Sequence, residues 1–300
     1  SSVALKLKKK YNLKPLLVTF NPLLPTKVGE HNKKALLDHG FESIEIKADL
    51  RVSKLLSKRF FIERGNPKLH WDAGINAGIF KVALMTGIKY IFYAEHGETH
   101  YGGRILNEDS EKIRSYEEVI ENQIGDMPEN WVEKGSITIE ELYPYLMPNE
   151  EELSKAGIEA HYFGYYNKWN VVENYRYVKS EINFRTCERG RTYGTVTNFD
   201  SLDDYMDDLY YYLQFIKFGF GRAIRDLSRQ IQKREISRSD ALPLAKKYDG
   251  EYPSDSIPYI MDYFNLSSSE VDEIVDSHRT SKIWHMENGV WINKLSKLIN

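Results

Sequence analysis

The sequence predicts an α/β fold with a parallel twisted sheet in its first half, followed by a mainly helical region. Three observations carry this prediction: apolar runs of strand length recur in the first half, helical patterns separate them, and no strand pattern is evident beyond about residue 166. Strands that alternate with helices of this length are typical of a parallel sheet with helical crossovers. We therefore expect two domains, 1–166 and 167–300.

The first domain is expected to begin with a short basic helix over 3–11 and a strand over 15–20. The run 15–20 (PLLVTF) is continuously apolar, which is the pattern of a strand buried on both faces of a sheet. Hydrophobic periodicity predicts the other elements of this half: helices over 31–38, 52–64, 75–86, 107–122 and 137–145, and strands over 43–47, 88–94 and 158–165.

The second domain is predicted to be helical over 201–218, 222–234, 239–247, 257–264 and 269–278. In the first of these helices apolar residues recur at spacings of three and four, so they form a buried stripe. The other face carries Asp203, Asp204, Asp207 and Asp208. Acidic residues in a first turn complement the helix dipole, but four like charges also favour a nearby cation or a donor-rich ligand. Both interpretations stay open here.

The composition argues against several classes of protein. The chain has 300 residues, of which 28% are charged and 41% hydrophobic. No apolar run approaches the roughly 18–20 residues of a membrane-spanning helix, and no apolar stretch follows a basic start as in a secretory signal. A formal net charge of -3 argues against broad electrostatic capture of nucleic acid. We expect a cytoplasmic protein without a membrane span.

The segment after the third predicted strand is the first candidate for ligand binding, because open α/β sheets bind ligands at the carboxyl ends of their strands. Glycines there let a backbone approach a substrate closely, although polar, glycine-rich loops are also common without such a role. The candidate residues are Glu95, His96, Gly97, Glu98, Tyr101, Gly102 and Gly103. The order H-x-E-x-H at residues 96–100 differs from the zinc-binding H-E-x-x-H, so we predict no metal site.

Basic residues in the second half are candidates for binding an anion. Arg185, Arg189 and Arg191 lie in one short loop around the single cysteine, Cys187. A lone cysteine excludes an internal disulfide and a cysteine-cage metal site within this chain, and it is more often structural than nucleophilic. The turn before Arg222 ends one predicted helix and begins the next, so Arg222 marks either a helix stop or a potential anion site.

Several segments together resemble the N-acetyl sugar amidotransferases, a branch of the PP-loop ATP pyrophosphatases that makes amidinated bacterial surface sugars. The resemblance runs in order over nearly the whole chain. The matching segments are FNPLLPTKVGEHN (20–32), YAEHGETHYGG (93–103), HYFGYYNKWNVVENY (161–175), 188–208 with its DDYMDD, FIKFGFGRAIRD (215–226), ISRSDAL (236–242) and YDGEYP (248–253). The fold that this resemblance implies is the parallel twisted sheet of the PP-loop ATPases.

The family pattern also begins with a cysteine-pair knuckle and a phosphate loop, SGGxDS, which this chain does not contain. Ser1 and Ser2, followed by a helical segment, fit the end of such a loop. We therefore expect the chain to be a piece that lacks the first strand, most of the phosphate loop and any metal knuckle, and we expect this piece to be inactive by itself.

The resemblance implies an ATP-dependent reaction, with Mg²⁺, on the acetamido group of an N-acetyl sugar or nucleotide sugar. AMP transferred to the amide oxygen is a good leaving group, and ammonia then attacks the carbon to give an acetamidino group. Ammonia is expected from glutamine through a glutaminase subunit, with a cyclase-like channelling subunit as a second expected partner. The products would serve lipopolysaccharide (O-antigen) or flagellin sugars such as pseudaminic acid.

The resemblance also implies roles for residues of this chain. Ser1 and Ser2 would contact phosphate, Thr19 and Phe20 would lie near the adenine, and residues 95–103 would line the sugar or phosphate side. Arg185, Arg189, Arg191 and Arg222 would contact anionic groups of a nucleotide sugar. The catalytic base is not identified by these motifs.

Two other functions remain open at this stage. An RNA-modifying enzyme of the same ATP class would act on transfer RNA, but it needs a basic surface, and the acidic net charge counts against it. A non-catalytic sugar-binding subunit would keep the fold and lack the ATP chemistry.

Overall fold

A computed structural model of the chain describes residues 1–94, 97 and 112–299. Its fold is mixed α/β. The α-helices are α1 (Ser2–Lys9), α2 (Lys27–Leu37), α3 (Leu50–Arg64), α4 (Leu69–Thr86), α5 (Tyr116–Val119), α6 (Glu150–Ala156), α7 (Phe163–Tyr166), α8 (Val171–Glu181), α9 (Met206–Phe218), α10 (Arg222–Gln232), α11 (Arg238–Tyr248), α12 (Ile257–Phe264) and α13 (Ser268–Ser277). The strands are β1 (Leu17–Phe20), β2 (Ser43–Ile46), β3 (Tyr90–Tyr93), β4 (Glu159–Tyr162), β5 (Trp284–Glu287) and β6 (Val290–Asn293).

The chain divides into two compact units, each assembled from separate stretches of sequence. Unit 1 consists of Ser1–Asn21, His31–Ser53 and Leu69–Phe184, and unit 2 consists of Pro22–Glu30, Lys54–Lys68 and Arg185–Asn300. The domain boundary at residue 166 stays a prediction. In the compact units, α8 belongs with the first part of the chain.

Unit 1 contains two pairs of parallel strands. Leu17 of β1 pairs with Ser43 of β2, and Tyr93 at the end of β3 pairs with Tyr162 at the end of β4. Across the described residues these pairs form separate two-stranded sheets. The parallel pairing expected from the sequence is therefore present, whereas a continuous parallel sheet is not seen in this part of the chain.

Helix α4 contacts the two strand pairs with opposite sides of its surface. A Cβ atom added at Gly74 would stand 2.4 Å from the ring of Phe20 in β1, and one added at Gly78 would stand 2.5 Å from Ile46 in β2. Because each residue turns the helix by about 100°, Phe80 lies on a different side from Gly74 and Gly78. There it packs in a cluster with buried residues of β3 and β4. A helix that is apolar all round must be buried in this way.

Unit 2 has a helical core to which the first half of the chain contributes. Phe61 of α3 is fully buried among residues of α9, α12 and α13, and its ring stacks on that of Phe264 at 5.4 Å. The predicted helices of this region are confirmed with boundaries shifted by up to five residues at one end. None of the helices in the described residues combines the length and apolar character that crossing a membrane requires.

The expectation that no strand follows residue 166 is wrong. Strands β5 and β6 form an antiparallel hairpin, in which Trp284 pairs with Asn293. The connecting residues Asn288 and Gly289 have φ angles of 51° and 78°. Positive φ at both central residues is the requirement of the tight turn that matches strand twist, and Asn-Gly is its commonest sequence.

Other boundaries also differ from the prediction. The helix expected over 137–145 is only a 3₁₀ turn at Tyr143–Tyr145, where Pro144 lacks the N–H that a longer helix needs. The strand expected over 158–165 ends at Tyr162, because α7 begins directly after it. Helix α8 was not predicted. Of the helix expected over 107–122, the part before residue 112 lies outside the described residues.

Candidate functional site

The carboxyl ends of β1 and β3 lie beside the first half of α4 in unit 1. Asn21 follows β1 directly, and its carbonyl oxygen accepts a hydrogen bond from the Trp71 indole at 2.8 Å. The side-chain oxygen of Asn21 is buried and has no hydrogen-bond partner among the described residues. Open α/β folds bind ligands at this end of their strands. Asn21 thus presents an unused acceptor where a ligand is expected.

Arg114 is held at the end of β3 and β4 by a network of neutral side chains. The Asn76 side-chain oxygen accepts from Nε at 3.0 Å and from Nη2 at 2.8 Å, and Gln123 accepts from Nη2 at 2.6 Å. Nη1 donates to the Tyr162 hydroxyl at 3.0 Å. The guanidinium also lies 4.3 Å from the ring centre of Tyr93. These contacts fix a buried cation in one orientation.

Tyr93 contributes to this network as a neutral group. Burial raises the pKa of the Tyr93 hydroxyl to about 12, although the charge of Arg114 acts in the opposite direction. The hydroxyl therefore keeps its proton at physiological pH, and it donates to Asn76 at 3.4 Å. Tyr93 therefore does not neutralise the charge of Arg114.

The residues expected to bind ATP or sugar in unit 1 are only partly described. Ser1 is the N-cap residue of α1 without a side-chain cap, and Ser2 is buried. Thr19 and Phe20 lie at the carboxyl end of β1, where the Phe20 ring packs on Gly74. Gly97 is described without its neighbours. The other expected residues of this loop lie outside the described part of the chain: Glu95, His96, Glu98, Tyr101, Gly102 and Gly103.

In unit 2 the acidic cluster of the sequence is joined to a buried lysine. Lys68 forms ion pairs with Asp204, at 3.2 Å, and with Asp207. The Asp204 carboxylate also accepts from the backbone N–H groups of Leu23 and Leu24, at 3.1 and 2.9 Å. The cation that four like charges favour is therefore part of the chain, and Asp204 ties two distant segments together.

Burial shifts the proton affinity of the neighbouring carboxylates. It raises the pKa of Asp207 although Lys68 acts against the shift. It raises the pKa of Asp208 to about 6, against the hydrogen bond that Ser256 donates at 2.5 Å. Buried carboxylates with raised pKa values are frequent at functional sites and also occur in structural ion-pair networks.

Arg222 lies near this cluster with only 1% of its side chain exposed. Its Nη2 is 3.2 Å from the Asp200 carboxylate, and the guanidinium stacks 4.4 Å from the ring centre of Tyr211. Nε and Nη2 form no hydrogen bond with any described residue. Nε also lies 3.9 Å from the buried Asp226 carboxylate. Arg222 therefore combines deep burial with donors that form no hydrogen bond to a described residue, beside an Asp200 carboxylate that is itself 49% exposed.

The N-terminus of α10, which Arg222 begins, already holds an anionic group. The Asp249 carboxylate accepts from the backbone N–H of Gly221 at 2.8 Å and from that of Ile224 at 3.2 Å. Gly219, with a φ of 75°, ends α9 in the left-handed conformation, as the helix-stop interpretation predicts. The backbone part of the expected anion site is thus occupied by the chain itself.

The arginine loop is also paired internally. Arg191 donates two hydrogen bonds to Glu251, each at 2.5 Å, and Arg189 donates a longer one at 3.4 Å. Burial acts to raise the pKa of Glu251, but the hydrogen bonds from Arg191 and from the backbone N–H of Gly194, together with the charges of Arg191 and Arg189, outweigh it and lower the pKa. Arg185 is exposed, and the Cys187 thiol donates to the carbonyl of Arg191 at 3.0 Å. Of the four candidate arginines, Arg222 keeps the clearest capacity to bind an anion.

Several residues of these networks were not predicted, among them Lys68, Asn76, Arg114, Asp249 and Glu251. No motif singles out Lys68 or Arg114, because their partners lie far along the chain or on another element. Glu251 lies inside the segment YDGEYP, directly after Gly250, and nothing in that segment indicates its partner.

Comparison with known protein families gives one match. Residues 193–298 match the family model described as "LPS biosynthesis protein WbpG-like, C-terminal domain". The matched region lies in unit 2 and includes α9 to α13 and the hairpin. No curated protein matches the chain. The family match covers less than half of the chain and supports a role in lipopolysaccharide biosynthesis.

Proposed function

We propose that the chain acts in lipopolysaccharide biosynthesis as an ATP-dependent amidotransferase on an N-acetyl sugar. The observation that carries the proposal is the similarity of residues 193–298 to the C-terminal domain of an LPS biosynthesis protein family. The reaction itself is proposed from the segments that resemble the amidotransferases. Two of these segments are in contact, since the backbone N–H of Thr26 donates to the carbonyl of Asp203 at 3.1 Å.

The proposed reaction needs activation, because amide resonance makes an acetamido carbon a poor electrophile. Transfer of AMP from ATP to the amide oxygen forms an O–P bond and releases pyrophosphate. Attack of ammonia on the carbon then displaces AMP and leaves an acetamidino group. Ammonia from a glutaminase partner would have to reach this carbon without exchange with water, which is the task of a closed site.

The chain's own residues fit an adenine at the end of β1. The buried side-chain oxygen of Asn21 lacks a donor among the described residues, and the amino group of adenine is such a donor. An unpaired buried acceptor costs about 1–3 kcal/mol, so a bound adenine would recover part of this free energy. We propose that Asn21, next to Thr19 and Phe20, contributes to adenine binding.

Arg222 fits the anionic part of a nucleotide sugar. Nε and Nη2 form no hydrogen bond with a described residue, and the exposed Asp200 carboxylate that pairs with Nη2 is a group that a phosphate of the substrate could replace. Arginine binds phosphate oxygens with paired, charge-assisted hydrogen bonds. We propose that Arg222 binds the substrate and that Asp200 covers it in the absence of substrate.

The first experiment measures products with the intact protein, ATP, Mg²⁺, ammonium and a series of N-acetyl nucleotide sugars. The proposal expects AMP and pyrophosphate only when both sugar and ammonium are present. ADP formation, or turnover that does not depend on the sugar, would contradict it. Sugar binding without any ATP turnover would indicate a non-catalytic subunit, and AMP formation that requires transfer RNA would indicate the RNA-modifying alternative.

The second experiment replaces Arg222 with glutamine. Loss of the charged hydrogen bonds is expected to lower kcat/KM for the nucleotide sugar about ten- to hundredfold, while KM for ATP stays unchanged. The control is R238Q, which removes an exposed arginine of the same unit. If R222Q lowered kcat/KM for the nucleotide sugar and for ATP equally, Arg222 would have a structural role instead.

A further inference from the structure

We propose that Arg114 binds an oxyanion, a phosphate or a carboxylate group, at the carboxyl ends of β3 and β4. This assignment concerns binding alone and does not depend on the reaction proposed above. Three observations support it: the charge of Arg114 is buried, one of its N–H donors is free among the described residues, and the residue lies at the ligand-binding end of two strands.

The charge of Arg114 is buried without a matching carboxylate among the described residues. Only 9% of the residue is exposed, and its hydrogen-bond acceptors are the neutral oxygens of Asn76, Gln123 and Tyr162. No carboxylate of the described residues forms an ion pair with it. The buried carboxylate nearest in sequence, Glu118, accepts instead from the backbone N–H of Ser115 at 3.4 Å.

Such an arrangement is costly unless an anion completes it. Desolvation of an isolated charge costs several kcal/mol, and neutral acceptors offset only part of this. The guanidinium is therefore explained by a negative partner that the described residues do not supply.

A donor is available for this partner. Nη1 carries two N–H donors, and the Tyr162 hydroxyl takes one of them. Asn76 and Gln123 hold the other two nitrogens, so the free N–H of Nη1 has a fixed direction. A donor fixed in this way loses little conformational entropy on binding, which favours affinity for an oxyanion.

The position of Arg114 agrees with this role. Tyr93 and Tyr162, which flank the guanidinium, are the last residues of two paired parallel strands. Ligands of open α/β folds bind at this edge. Both tyrosines bring a hydroxyl group, and the raised pKa keeps that of Tyr93 neutral, so it does not repel an anion.

Calorimetric titration of the intact protein tests the proposal with two series of probes. Pyrophosphate and AMP form the phosphate series, and acetate and glucuronate form the carboxylate series. We expect R114Q to weaken binding of at least one series about ten- to hundredfold, and R114K to recover part of the affinity through its charge. The series that depends on Arg114 identifies the source of the oxyanion.

The matched control is R51Q. Arg51 belongs to the same unit, but it is exposed and already paired with Glu141, so its replacement is expected to leave the affinities unchanged. A folding failure of R114Q is covered by a measurement on the wild-type protein. The ¹⁵Nε resonance of Arg114 is assigned by its absence from the spectrum of R114K. In wild type this resonance is expected to shift as the probe is added, and the shift should reach a plateau when the site is full.

Binding that is equal in wild type, R114K and R114Q would overturn the proposal. It would also be overturned if neither series bound, or if the Nε resonance did not respond, because Arg114 would then be a structural cation only. If R51Q weakened binding of the probes as much as R114Q, the loss of affinity would reflect a general effect of charge, which would also contradict the proposal.

Discussion

Three buried cations of this chain are stabilised in different ways. Lys68 is paired with two carboxylates, and Arg222 lies against an aromatic ring with the exposed Asp200 and, at 3.9 Å, the buried Asp226 beside it. Arg114 has only neutral acceptors among the described residues. Truncating a paired cation leaves a buried negative charge, whereas truncating Arg114 leaves neutral groups. The same type of substitution is therefore expected to have different effects on stability and on binding.

Asp208 provides a prediction on pH at the residue scale. Burial raises its pKa from 3.8 to about 6, so the folded state holds a proton that the unfolded state has already released. The free energy of unfolding should fall as the pH rises from about 4 to about 6. D208N cannot bind this proton, so its free energy of unfolding should not show this fall. Relative to wild type, D208N should therefore be more stable above pH 6 than at pH 4, by up to about 3 kcal/mol.

Urea denaturation at a series of pH values measures this difference. S256A is the informative partner variant, because it keeps the carboxyl group and removes the hydrogen bond that lowers its pKa. There the free energy of unfolding is expected to fall by a larger total amount, and the fall is expected to extend to a higher pH. If D208N and wild type showed the same pH profile, the proton would not be held by Asp208.

The sequence predicted this site in part. It indicated that the acidic residues need a cation and that Arg222 is suited to an anion, because charge spacing and helix starts are local properties. It did not reveal Lys68, which lies 139 positions before Asp207, nor Asp249, which caps the helix that Arg222 begins. A pairing between distant segments is a property of the fold, and one sequence without relatives carries no signal for it.

At the scale of elements, the patterned helices and the first strands were predictable, and the exceptions have physical causes. Helix α4 begins six residues before its predicted start, since it is apolar all round and shows no helical period. The hairpin β5–β6 was missed although Asn288-Gly289 is a strong turn signal, because the surrounding strands are short and only Trp284 in them is buried.

The close approach of α4 and β1 gives a prediction on packing. In G74A the new methyl group would meet the buried ring of Phe20 at 2.4 Å. Alanine improves helix propensity by about 1 kcal/mol, but overpacking costs about 1–3 kcal/mol, so a net loss of stability is expected. Thermal denaturation measures it.

A double-mutant cycle with F20L isolates the contact. The smaller side chain should make room for the methyl group, so G74A should cost less in the F20L background than in wild type. A G74A variant more stable than wild type would contradict this expectation, since helix α4 and strand β1 could then move apart without a loss of stability.

At the scale of the whole molecule, the interlaced segments determine what can fold alone. Unit 2 includes 54–68, which supplies Phe61 to its core and Lys68 to its acidic cluster. A fragment 185–300 keeps the family-matched region but leaves Asp204 and Asp207 without their cation. Losing one partner of a buried ion pair costs about 3–5 kcal/mol, so this fragment should not unfold cooperatively on heating.

Circular dichroism of the fragment tests this expectation, with the intact chain as reference. Addition of a synthetic peptide of residues 54–68 should restore part of the transition, whereas a peptide with Lys68 replaced by methionine should restore less. Cooperative unfolding of the fragment alone, at the temperature of the intact chain, would show that the family-matched region is self-sufficient.

The long separation between Lys68 and Asp207 also has a consequence during synthesis. The two residues are 139 positions apart, and ribosomes add about 5–20 residues per second, so on the order of ten seconds pass between their appearance. During that interval the helices that bury Phe61 in the folded protein have not yet been synthesised. Nascent chains therefore expose an aromatic segment for many seconds, and chaperone binding to residues 54–68 would protect them from aggregation until α9 is made.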